Sequence, residues 1–310
     1  MVYNVGITEV RDMNCTLCGH RCGVDRAENE RGFCGMGETA NIAKVMLHKW
    51  EEPCISGENG SGAIFFSGCS LRCAYCQNWE ISHMRKGLPV DVDRLRDIFD
   101  ELADKGAHNI NLVNPTHFVP FIAKAFKRYQ KRIPVVYNTH GYDSPEALKM
   151  MDGIVDIYLP DLKYTYSLPA RRYSAAPDYF AVAKAAIDEM VRQVGPVQYD
   201  ENGLLKKGVI IRHLILPEQT DAAKDVIDYV AEHFAPGTVL FSLMAQYTPC
   251  GEAVRYPEIN RRLTQEEYDE VAQYLMDSPI EDGFMQELES ADEQYIPEFD
   301  LEGVQPPEEV

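Results

Sequence analysis

The chain is poor in cations. Its 30 Lys and Arg stand against 49 Asp and Glu, a formal net charge of −19. A surface that negative repels a phosphate backbone, which argues against nucleic acid as a substrate. The deficit is concentrated: from Asp277 to Val310 there are twelve acidic residues and no Lys or Arg, so the preceding 276 residues carry only −7. Long apolar runs are missing as well. No window reaches the roughly 18 apolar residues that a membrane span requires, and the opening MVYNVGITEVRD lacks the basic stretch and apolar run of an export signal. A cytoplasmic protein without membrane attachment is expected. There is no low-complexity segment apart from the acidic end, and no repeat beyond a β/α rhythm.

Cysteine is what the chain has in plenty. A reducing compartment keeps thiols free, so nine cysteines in 310 residues point to metal or redox chemistry rather than a disulfide framework. Seven fall in two groups: Cys15, Cys18, Cys22 and Cys34 in the leader, then Cys69, Cys73 and Cys76. Cys54 and Cys250 stand alone.

After the leader, short β-branched or apolar runs alternate with longer segments of helical periodicity, the pattern of parallel β/α units. The predicted strands are Ala63–Phe66, Asn109–Val113, Pro134–Tyr137, Asp156–Leu162, Val209–Leu216 and Val239–Met244. Their helices include one opened by Ser144-Pro145-Glu146 and a last one opened by a Thr264/Glu267 capping box. Asp200-Glu201-Asn202-Gly203 carries hairpin-turn chemistry. Six units predict an α/β fold with a partial (β/α)6 barrel of the TIM type; an eight-unit barrel would need two more strands. The expected organisation is a Cys-rich extension over residues 1–60, the barrel over 61–276 and an acidic tail over 277–310. Phe284, Tyr295, Ile296 and Phe299 would let that tail dock rather than remain solvated.

The segment GCSLRCAYCQNWEIS sets three thiols as C-x3-C-x2-C directly after a predicted strand. Iron–sulfur clusters are normally held by four Cys thiolates, so a loop offering three leaves one iron open to a small molecule. A zinc loop is the duller reading of the same spacing. The segment resembles the signature of the radical S-adenosylmethionine (SAM) superfamily, including the aromatic Tyr75 before the third cysteine. Within it the chain is similar to pyruvate formate-lyase activating enzyme, and more closely to the PflX-like group. The resemblance rests on GSGAIFFSGCSLRCAYCQNWEIS, NLVNPTHFVP, VVYNTHGYDSPE, DIYLPDLKY, VIIRHLILP and LMAQYTP, each at or beside a predicted strand.

That resemblance implies a [4Fe-4S] cluster on Cys69, Cys73 and Cys76 whose open iron chelates SAM, with Tyr75 nearby. Reductive cleavage would yield a 5′-deoxyadenosyl radical that takes hydrogen from a substrate. Asn114, Pro115 and Thr116 would stand where the family engages the SAM amino group. Lys163 would face the SAM carboxylate, Asp161 a cation or the cofactor, and Asn138, Thr139 and Arg212 the cofactor's polar neighbours. As implied partners come a low-potential donor such as flavodoxin or ferredoxin and, as substrate, a glycyl-radical enzyme. A small molecule or peptide is the alternative substrate, and an electron carrier the non-enzymatic alternative. Without the resemblance, Asp161 and Lys163 read as a surface ion pair and Arg212 as a snorkelling side chain.

The leader CTLCGHRCGVDRAENERGFCGMG gives C-x2-C-x3-C-x11-C, suited to zinc or to a second cluster, with His20 as a spare ligand. Characterised activating enzymes lack this leader, whereas PflX-like proteins share it. Cys250 is expected near the barrel mouth as a partly buried, inert thiol, and His117 and His140 as satisfied loop histidines.

Overall fold

The computed structural model describes residues 15–28, 30–288 and 297–306. The opening MVYNVGITEVRD and the tail anchors Tyr295 and Ile296 lie outside them.

Among the described residues, ten strands form one sheet: β1 (Asn41–His48), β2 (Ser61–Phe66), β3 (Leu88–Pro89), β4 (Ile110–Val113), β5 (Val135–Thr139), β6 (Ile157–Pro160), β7 (Gln198–Tyr199), β8 (Leu205–Leu214), β9 (Leu240–Met244) and β10 (Gly283–Met285). Their order is β10-β9-β8-β6-β5-β4-β2-β1-β3, with β7 beside β8. β2, β4, β5, β6, β8 and β9 pair in parallel, and these are the six predicted strands. The molecule is an α/β protein built on an open, mostly parallel sheet, the form a partial barrel takes. The strands are buried on both faces, which is why they read as near-continuous Val, Ile, Leu and Phe runs.

Local chemistry sets the helix ends. Asp91 accepts a bond from Arg94 N at the start of Val92–Asp104, and Ser144 Oγ accepts from Ala147 N, 3.1 Å, at the start of Pro145–Lys149. Thr264 and Glu267 form the reciprocal box that opens Gln265–Met276. The helices pack on the outer face of the sheet through Leu95, Phe99, Ile122 and Ile187. No helix among the described residues is long and apolar enough to cross a membrane.

Three features go beyond the predicted elements. The Cys-rich extension contributes β1, which runs antiparallel to β2, and the short helix Pro53–Ser56 that follows. From that helix Cys54 and Ile55 pack with Val136, Ile157, Ile210 and Leu240, flooring the inside of the curved sheet. Within the acidic segment, β10 adds a parallel strand beside β9. Further on, Phe299 meets the Phe65 ring at 5.5 Å, Arg94 Nε donates to Val304 O at 3.0 Å, and Lys44 pairs with Asp300 at 2.8 Å.

Candidate active site

The loop carrying Cys69, Cys73 and Cys76 begins where β2 ends. Gly68 has φ +82°, and a Cβ there would sit 2.3 Å from Met36 Cγ, so only glycine lets the leader press against this turn. Asn114, left-handed at φ +59° just past β4, donates from Nδ2 to Gly68 O at 2.8 Å and presents Oδ1 3.9 Å from Cys69 Sγ. The sulfurs have donors of their own. Leu71 N donates to Cys69 Sγ at 3.3 Å and Ser174 Oγ to Cys73 Sγ at 3.0 Å, while Ser82 Oγ lies 3.1 Å from Cys76 Sγ.

Burial, reinforced by the adjacent sulfurs, pushes the Cys69 thiol well above its ordinary value and Cys76 up to about 12; burial also raises Cys73, against the pull of Lys163. Thiols so placed keep their protons until a metal replaces them, and the N–H and O–H donors are ready for the thiolates. Among the described residues no group of three or more His, Cys, Asp or Glu side chains is gathered as a single metal ion would need. A cluster spreads its ligands over separate irons, and the donor set here fits that demand.

Beneath the loop is a buried ionic network. Asp161, just past β6, accepts from Lys163 Nζ at 2.6 Å and from Arg212 Nε at 3.1 Å. Arg212 on β8 also donates to Asn138 Oδ1 at 2.6 Å and to Glu51 Oε2 at 3.2 Å. Glu51 Oε1 accepts from Asn138 Nδ2 at 2.9 Å and Asn111 Nδ2 at 3.2 Å. The Lys163 and Asp161 side chains are only 16% and 14% exposed, so this is not a surface pair, and Arg212 at 13% does not snorkel. Burial alone would raise the Asp161 carboxyl, but Lys163 and Arg212 outweigh it and hold it below the usual carboxylate range. Lys163 is raised despite burial, by Asp161 and the Cys73 sulfur.

These groups surround a cavity of about 480 Å³ lined by Cys73, Tyr75, Cys76, Asn138, Asp161, Lys163 and Arg212, and also by Glu51, Glu52 and Ser242. The structure thus gathers most of the predicted site residues around one space. Tyr75 is clamped by its hydroxyl, 2.6 Å from that of Tyr164. Asn114 reaches the cavity only through the loop it ties down. Thr116 and Thr139 are turned the other way, their hydroxyls 3.4 Å apart, in a buried cluster where Thr139 donates to Asp143 at 2.5 Å.

Two histidines at strand ends are neutral and engaged. His140 Nδ1 accepts from Tyr142 N at 3.0 Å, so its Nε2–H faces Ser70 Oγ at 2.7 Å; His117 Nε2 donates to Ser67 O at 2.7 Å. Burial lowers both to about 3. Cys250 lies beside Cys76 with its thiol donating to Tyr75 O at 3.1 Å.

The leader docks on the turn after β5. Gly19 N donates to Tyr142 O, and Ser144 N to Leu17 O. Cys18 lies within electrostatic reach of Cys15, Cys22 and Cys34, and Cys15 and Cys18 each accept a backbone N–H, from Leu17 and His20. The His20 ring instead stacks on Phe33 at 3.8 Å.

Residues 63–230 match the Radical SAM superfamily. The chain belongs to this superfamily. Membership brings a [4Fe-4S] cluster, SAM and radical chemistry driven by an external reductant, and it makes this protein an enzyme. The half-buried three-thiol loop beside a polar cavity is a donor set that suits such a cluster. An uncharacterized protein of Methanocaldococcus jannaschii, MJ0674, is 34% identical over 268 residues, covering 83% of this chain and 72% of the relative. Solved structures with a similar fold include Streptococcus suis SuiB bound to its precursor peptide SuiA (13% identical, TM-score 0.47, 72% of this chain and 48% of SuiB). HydG, a maturase of the [FeFe]-hydrogenase, is 14% identical with TM-score 0.47 over 70% of this chain and 49% of its own. A spore photoproduct lyase variant is 14% identical with TM-score 0.49 over 79% of each chain. The chain spans about half the length of SuiB and HydG.

Several residues of this site carry no sequence signal. Ser82 and Ser174 meet the cysteines only through folding, the latter 101 residues away from Cys73. Glu51 and Glu52 belong to a segment outside any β/α unit, and their one mark in the sequence is an acidic pair ahead of Pro53.

Proposed function

We propose that Cys69, Cys73 and Cys76 hold the [4Fe-4S] cluster and that the protein abstracts hydrogen from a substrate held in the cavity beside them. The observation that carries this reading is the meeting of a half-buried three-thiol loop, through Cys73 and Cys76, with Lys163, Asp161, Arg212 and Asn138 around one cavity. When bound, the cluster supplies the electron that splits SAM into methionine and a 5′-deoxyadenosyl radical. The chain's own residues position and shield. Lys163 offers a cation to a carboxylate, Asp161 keeps Lys163 and Arg212 oriented, and Tyr75 walls off solvent. The substrate proposed is a small molecule or peptide, supported by a polar lumen that continues past Asp161 to Glu51 and Glu52. The likeness to activating enzymes supports a second reading, a backbone glycine of a glycyl-radical enzyme as the hydrogen donor. Flavodoxin or ferredoxin is the proposed reductant.

The leader cysteines are proposed to bind zinc or a second cluster. The closeness of Cys18 to the other three thiols and the backbone donors on Cys15 and Cys18 support this, while the four are not gathered as a single metal ion would need. The remaining divisions follow as proposals: residues 1–60 as the metal-bearing extension, 61–276 as the catalytic unit and 277–310 as a docked acidic segment in a cytoplasmic protein.

Anaerobic reconstitution with iron and sulfide, then dithionite and SAM, tests the reading. Equal yields of 5′-deoxyadenosine and methionine are expected, and loss of both in a Cys69, Cys73 and Cys76 triple-Ala variant. A protein that changes oxidation state without forming either product is an electron carrier. Metal and sulfide analysis of the same variant identifies the leader site, iron with sulfide marking a cluster and zinc a structural site. Deuterium passing from a labelled substrate into 5′-deoxyadenosine identifies the hydrogen donor.

A further inference from the structure

Among the described residues, every carboxylate oxygen that the ionic network turns toward the cavity has a donor, except one. Asp161 Oδ1 and Oδ2 take Arg212 and Lys163, and both oxygens of Glu51 are engaged by Asn111, Asn138 and Arg212. Glu52 receives a bond from the Ser242 hydroxyl, yet its Oε2 is buried with no partner. The residue is 9% exposed and lines the cavity. Neither cation of the lumen is bonded to it: Lys163 and Arg212 pair with Asp161, and Arg212 also with Glu51. A buried acceptor left bare is destabilising, so the fold keeps this one at a loss unless something visits it.

We infer that Glu52 is a substrate-binding residue whose free oxygen receives the N–H of a protonated amine, making the substrate of this site an ammonium-bearing molecule. This rests on the proposed radical SAM site and names the substrate class within it. The place suits the role. Glu52 is delivered by the segment between β1 and the helix Pro53–Ser56, whose Cys54 and Ile55 are packed into the lumen floor, so the carboxyl stands on a rigid base. A neutral donor would satisfy the oxygen alone, whereas an ammonium supplies both the missing N–H and the charge that an ionised Glu52 needs. Burial and the neighbouring Glu51 push the Glu52 carboxyl up even though Arg212 is close, so an arriving cation takes the place of a proton.

The test uses reconstituted, SAM-loaded holoenzyme under anaerobic conditions, with n-butylammonium and n-butanol as probes titrated calorimetrically. The expected result is binding of the ammonium at least fivefold tighter than the alcohol, a preference lost in Glu52→Gln and kept in Glu52→Asp. SAM affinity is expected to stay within threefold in both variants. Equal binding of the two probes, or a preference that survives Glu52→Gln, overturns the inference. So does a tenfold loss of SAM affinity in Glu52→Gln, which would make Glu52 a SAM ligand instead. Thermal melting of Glu52→Asp alongside Glu52→Gln separates lost recognition from lost folding. Cluster content and 5′-deoxyadenosine formation by the unaltered protein report on the radical SAM site itself, so its failure is read separately.

Discussion

Asp161 bonds two buried cations, Lys163 alone and Arg212 together with Glu51, and that makes it the most exacting side chain of the site. Removing one partner of a buried ionic group costs far more than the group is worth, because the remaining charges stay desolvated. Asp161→Asn is therefore expected to lose about 3 kcal/mol at neutral pH by denaturant titration. The sign of its pH dependence follows from the lowered carboxyl. Its contribution is present above the unfolded carboxylate value and disappears as pH falls through the lower folded value, so the gap between native and variant should close in acid. A gap that stays constant down to the acid transition would mean that Asp161 stabilises by packing alone. That Asp161, Lys163 and Arg212 belong together was suggested only by the family likeness, and the structure bonds them to one another. Nothing in their spacing tells a buried network from a surface pair, since burial is decided by strands more than 50 residues apart in sequence.

At the scale of elements, the turn after β5 holds the site together from outside. Gly141 has φ +79°, and a Cβ on it would stand 2.2 Å from Asp161 O. Gly153 has nearly the same backbone, φ +77°, with open space around it. Gly141→Ala should cost about 3 kcal/mol or more and Gly153→Ala about 1 kcal/mol, measured by chemical denaturation, since only the first adds a clash to left-handed strain. Equal costs would show that the contact with Asp161 is slack. The six parallel strands were readable because double burial writes an apolar run, and the Ser144 and Thr264 caps because capping is local chemistry. β1 and β10 were not. NIAKVMLH mixes polar residues into a strand near the sheet edge, and GFM is three residues inside an acidic stretch, too short to show a period.

For the whole molecule, stability at mildly acidic pH is governed by buried neutral histidines. His117, His140 and His213 are 2%, 8% and 3% exposed, and burial lowers them to about 3, 3 and 4. The unfolded chain takes up these protons from about pH 6.5 downward while the native state refuses them, so stability is complete above that value and drains away toward pH 4. Each group contributes up to about 1.4 kcal/mol per pH unit in that window. Denaturant titrations at pH 7, 6 and 5 should show this fall, and His213→Asn, which can still donate to Leu162 O, should lessen it by one group's share. An unchanged slope would mean that His213 is protonated in the native state. The two outermost strands of the sheet, β3 and β10, are two and three residues long. A neighbouring molecule seeking to extend the ladder finds room for only two or three rungs at either flank, too few to hold it against thermal motion. Concentrated stocks should accordingly resist fibrous association through strand addition.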